Sequence, residues 1–202
     1  MIQYLSEKTA KWLAEGDDPA DIEVIAYGYY MFYQQWLVTI GILLIALPFG
    51  LFPLVLTSLV TFMVLRGYIA GTHATHPLIC KAFTFGLAFT PAVLATFFAV
   101  RLPLPAVLAL YLLSIAILVK YAPGDTDVKK IHNPQIRKQM KMKSVVCTSM
   151  FFLAAALLHG RFPMFSFVIA TTAFIASSMV HPVMYWLFGF DPVTKEARKP
   201  RW

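Results

Sequence analysis

VIAYGYYMFYQQWLVTIGILLIALPFGLFPLVLTSLVTFMVL, residues 24–65, runs for 42 residues without a Lys, Arg, Asp or Glu. A helix of about 20 apolar residues crosses the hydrocarbon core of a bilayer. The run is therefore too long for one crossing and long enough for two. Pro48, Gly50 and Pro53 supply a turn near its middle. Four further stretches carry no charge: 82–100, 102–119, 144–160 and 162–190. Backbone polar groups in hydrocarbon must be satisfied internally, and runs of this length can do that only as helices. Short alternating segments of the outer-membrane barrel kind are missing. The composition agrees: 59% of residues are apolar and 13% charged, where soluble domains carry roughly 25% charged residues.

The expected fold is all-α, a polytopic transmembrane helical protein with about six spans. They fall at about 24–47, 53–69, 79–100, 104–120, 144–160 and 164–188. Spans 2 and 5 are short enough to be re-entrant hairpin arms. The chain is expected to form one membrane domain, 1–202, with spans 1–4 in 24–120, a basic loop at 121–143, spans 5 and 6 in 144–188 and a polar tail at 189–202. Residues 1–18 form an amino-terminal amphipathic segment. Ile2, Leu5, Trp12 and Leu13 fall near one helical face, suited either to the headgroup plane or to an ordinary surface. Asp18-Pro19 marks a helix start, since Asp caps and Pro suits the first helical position. The first 23 residues are polar and carry more acid than base, so no cleavable signal peptide is expected.

Basic residues set the orientation. With the amino terminus inside and six crossings, fifteen of the seventeen Lys and Arg fall inside. Only Arg101 and Arg161 fall outside. The expected location is a cell membrane, multi-pass, with both termini cytoplasmic. Arg66 to Lys81 and the 121–143 loop then share the cytoplasmic side.

Chemistry concentrates in residues 66–81, RGYIAGTHATHPLICK. A thiol with an imidazole nearby suggests a cysteine nucleophile and a histidine base. His73 and Cys80 would lie about 10 Å apart on a continuous helix, too far for a hydrogen bond. Pro77 breaks such a helix and would start the next one, placing Cys80 near a helix amino terminus. The positive dipole end favours thiolate there, and Lys81 adds to it. His73, His76 and Cys80 are also possible zinc ligands, without a clear fourth nearby. A short interfacial turn with incidental histidines is the plainest alternative.

The segment resembles the signature of the accessory gene regulator B family, the membrane peptidases that process quorum-sensing peptide precursors in Gram-positive bacteria. The family pattern has an Arg, a Gly-Gly-x-His-Ala stretch and a Cys seven residues after that His. Arg66, Ala70-Gly71, His73-Ala74 and Cys80 match with both seven-residue spacings kept, and Ala70 replaces the first Gly. A second landmark, Tyr-Ala-Pro followed by a polar basic segment after the fourth span, matches Tyr121-Ala122-Pro123 with Lys129 and Lys130.

The resemblance implies that Cys80 is the nucleophile and His73 its base, in a cysteine endopeptidase that needs no cofactor and no metal. Its substrate would be a precursor peptide with an amphipathic leader, a central signal segment and an acidic tail. Cys80 would attack at the tail junction, and an internal Cys or Ser would capture the thioester as a thiolactone or lactone. Arg66 and Gly71 would contact the substrate; for Arg66, snorkelling is the structural alternative. Lys129 and Lys130 would grip the acidic tail, or else enforce topology and bind anionic lipid. Partners would be the precursor, membrane lipids and a second copy of the chain in a homodimer, with no nucleic acid. The competing function is a small multi-pass transporter or a metal-binding membrane protein. Against transport, no Asp or Glu lies in any apolar segment, where proton and cation paths usually carry them. His159 and His181 are expected to be packing or interfacial residues.

Overall fold

The computed structural model describes residues 2–13, 19–69, 77–99, 102–124 and 133–187. Among them every regular element is a helix: α1 (Ile2–Leu13), α2 (Pro19–Ala46), α3 (Phe52–Ile69), α4 (Pro77–Phe98), α5 (Leu104–Tyr121), α6 (Pro134–Leu158), α7 (Pro163–Ser178) and α8 (Pro182–Leu187). The chain divides into two compact units, Met1–Phe49 and Gly50–Trp202.

In the first unit α1 packs on α2. The Thr9 and Tyr33 hydroxyl oxygens lie 3.0 Å apart. The buried positions of α1 are Ser6 and Ala10, while Leu5, Trp12 and Leu13 are exposed. The large apolar residues therefore mark the outer face of α1, and its small residues allow close packing. A cleft of about 700 Å³ between the two helices is lined by Glu7, Lys11, Glu23, Tyr27 and Tyr30, among others. α2 starts at Pro19, as Asp18-Pro19 predicts. The turn after it ends at Gly50, whose φ of +66° suits a residue without Cβ.

The second unit is built around α7, which packs against α3, α4, α5 and α6. Its buried residues include Ser166, Ala170, Thr172, Ala173, Ala176 and Ser177, small side chains that let neighbouring backbones approach. Leu65 and Ile69 of α3, Val107 and Leu118 of α5, and Phe152 and Ala155 of α6 complete the core with α7.

Among the described residues, five helices are long and apolar enough to cross a membrane: α2 (over Ile22–Ala46), α3, α4 (over Lys81–Phe98), α5 and α6. The protein is a polytopic helical membrane protein. Two element boundaries differ from the sequence expectation. α6 begins at Pro134, well before the expected start at 144, because Asn133 caps it: the side chain accepts the Gln135 N–H at 2.9 Å, and Pro134 takes the first helical position. The last ten residues of the expected basic loop, 134–143, are thus helix. The expected span 164–188 is broken after Ser178 and resumes at Pro182. Pro182 has no N–H and disfavours helical geometry at His181. The 16 residues of α7 span about 24 Å, short of the roughly 30 Å hydrocarbon thickness.

Candidate functional site

α4 starts at Pro77, so the backbone of Cys80 lies in its first turn. A buried layer fixes how far along the neighbouring helices that turn sits. Ser58 Oγ of α3 donates to the Leu87 carbonyl of α4 at 3.2 Å and lies 3.0 Å from Thr172 Oγ1 of α7. Cys80 is seven residues from Leu87, a rise of about 10 Å. The same rise from Ser58 reaches Leu65, next to Arg66, and from Thr172 it reaches Met179. The backbones of Cys80, Arg66 and Met179 therefore occupy one level at one end of the bundle, and α4 packs against both α3 and α7.

The same end receives the segment after α5. The Gly124 N–H donates to the Ile69 carbonyl at 3.1 Å, which satisfies one of the carbonyls that a helix end leaves open. Ala122 and Pro123 are buried. The Tyr121 ring meets the His181 ring edge-on at 5.0 Å between centroids, and Lys120 Nζ sits 5.1 Å from the Tyr121 ring centre. His181 Nδ1 accepts the Val183 N–H at 3.3 Å. Arg66 is half-buried in the last turn of α3, where a cation is favoured by the helix dipole.

Of the predicted site residues, Arg66 and the backbone of Cys80 are thus brought to one level. Gly71, His73, Lys129 and Lys130 lie outside the described residues. So does the His76 of the zinc alternative. His181, expected as a packing or interfacial residue, belongs to this end and touches Tyr121. The signal for it was His181-Pro182, a helix-breaking pair inside an apolar run.

Three comparisons bear on what the chain is similar to. The family model described as accessory gene regulator B matches residues 2–183. The chain is 26% identical over 164 residues to a putative AgrB-like protein 2 of Clostridium perfringens (strain 13 / Type A), across 78% of this chain and 77% of the relative. No solved structure matches.

Proposed function

The chain belongs to the accessory gene regulator B family and so has a role in that quorum-sensing system; from this premise we propose that it is a membrane cysteine endopeptidase acting through Cys80. It removes the acidic tail of a precursor peptide and promotes cyclisation of the remainder. The observation that carries this reading is the start of α4 at Pro77. It puts Cys80 in the first turn of a helix, where the dipole favours thiolate, at the level of Arg66.

In the proposed step the Cys80 sulfur forms a bond to the carbonyl carbon at the tail junction. The bond to the tail nitrogen breaks, and His73 passes the thiol proton to the departing amine. An internal Cys or Ser of the peptide then attacks the thioester, giving the ring and restoring the thiol. Capture by a group on the same peptide competes with hydrolysis through its high effective concentration, and a partly dry site protects the thioester. Arg66 and Gly71 contact the substrate, and Lys129 and Lys130 hold its acidic tail. Both termini lie in the cytoplasm, an orientation supported by the bias of Lys and Arg.

Cleavage in proteoliposomes tests the proposal. Cys80→Ala should abolish release of the tail with expression and insertion intact. Cys147→Ala, half-buried in α6, should retain most activity. Full activity in the Cys80 variant would refute the assignment.

A further inference from the structure

Pro91 lies inside α4 and has no N–H to donate. In an unbroken helix the N–H at position 91 would go to the carbonyl four residues back, that of Leu87. That carbonyl accepts instead from Ser58 Oγ at 3.2 Å. Ser58, Thr172 and Pro91 are all buried, so the bond replaces one that water cannot supply. Ser58 has a single hydroxyl proton. With it committed to Leu87, the 3.0 Å contact with Thr172 makes Thr172 the donor and Ser58 the acceptor. A relay of two hydroxyls thus ties α7 and α3 to the carbonyl that the proline frees in α4.

A proline inside a helix is a common site of kinking. Cys80 lies on the arm before it, eleven residues from Pro91, or about 16 Å along the axis. A tilt of about 5° at Pro91 would carry position 80 sideways by about 1.4 Å over that length. Misplacement of a reacting group by about 1 Å can cost on the order of a hundredfold in rate. Among the described residues, the rest of the buried face of α4 around the proline is Ala88, Ala92 and Ala95. Methyl groups constrain an arm's direction less than a directional hydrogen bond does.

We propose that Ser58 and Thr172 are positioning residues: through the Leu87 carbonyl, their hydroxyls set the direction of the α4 arm that carries Cys80. This rests on the assignment of Cys80 as nucleophile, and the test separates the two. In full-length Cys147→Ala protein, Cys80 is the sole thiol. Its alkylation rate by iodoacetamide in proteoliposomes reports the arm without any substrate, and cleavage of a precursor with an acidic tail reports the chemistry.

Ser58→Ala should change the alkylation rate and lower kcat, each by about fivefold, the scale of one buried hydrogen bond, with KM little altered. Ser58→Thr, which keeps the hydroxyl, should restore both. Pro91→Ala gives α4 its own N–H for Leu87, so Ser58→Ala should add little in that background. Alkylation and kcat unchanged in a folded Ser58→Ala protein would overturn the proposal. So would an undiminished loss in the Pro91→Ala background. If Ser58→Ala does not fold, Thr172→Val carries the same test, with a smaller loss expected and no change overturning it. Should Cys80→Ala retain cleavage, the catalytic assignment falls, while the alkylation rates still decide whether Ser58 sets the arm.

Discussion

The carbonyl of Ile69 accepts the backbone N–H of Gly124 at 3.1 Å. The bond joins the end of α3, where the segment with Gly71 and His73 begins, to the residue that follows Tyr121-Ala122-Pro123. Two landmarks far apart in the sequence therefore share one end of the helical bundle. The level of Cys80 on α4, set by the Ser58 layer, falls at that end as well.

His73 and His76 should differ sharply as bases for Cys80. Residues four apart are neighbours on a continuous helix, which would favour His76, but α4 begins only at Pro77. His73→Ala should lower cleavage at least about a hundredfold, the lower range for a positioned base. The double variant with Cys80→Ala should be little worse than either single one, because such pairs act as a unit. His76→Ala should keep substantial activity. The reverse ranking in a reconstituted cleavage assay would make His76 the base and overturn the assignment of His73; equal loss in both would favour a metal, which elemental analysis of the purified protein would detect.

Lys129 and Lys130 should attract the acidic tail of the precursor. Replacing both with Gln should weaken precursor binding more at low salt than at high salt. Screening shortens from about 10 Å at 0.1 M to about 3 Å at 1 M. A loss independent of salt and of tail charge would point to lipid binding or topology.

Orientation can be read by labelling. With the basic residues inside, a membrane-impermeant thiol reagent should miss Lys130→Cys in intact cells and reach it in inverted vesicles, in a background without Cys80 and Cys147. Labelling from outside intact cells would reverse the orientation.

The helical class was legible because charge-free runs of bilayer length admit few other structures. Helix starts were legible where a cap and a proline adjoined an apolar run, as at Asp18-Pro19. The same signal at Asn133-Pro134 was hidden because polar, basic residues follow it, although a helix that leaves an apolar environment needs no apolar residues in its outer turns. The break at His181-Pro182 was overrun by apolar residues on both sides. On α1 the large apolar residues drew attention, yet Ser6 and Ala10 are buried; which face packs depends on the partner helix. The candidate residues Cys80 and Arg66 could be picked out from the family pattern they match. Their common level could not, because it depends on Ser58, Leu87 and Thr172 meeting across three helices.

The central claim is covalent attachment of the peptide to Cys80, and mass spectrometry of the acid-quenched protein tests it most directly. A precursor whose internal Cys or Ser is replaced by Ala cannot cyclise, so the thioester should accumulate. After brief incubation, the account predicts a mass increase equal to the precursor minus its tail, mapped to Cys80, sensitive to hydroxylamine and absent from Cys80→Ala. Tail release without any adduct on Cys80, or with the adduct on Cys147, would contradict it.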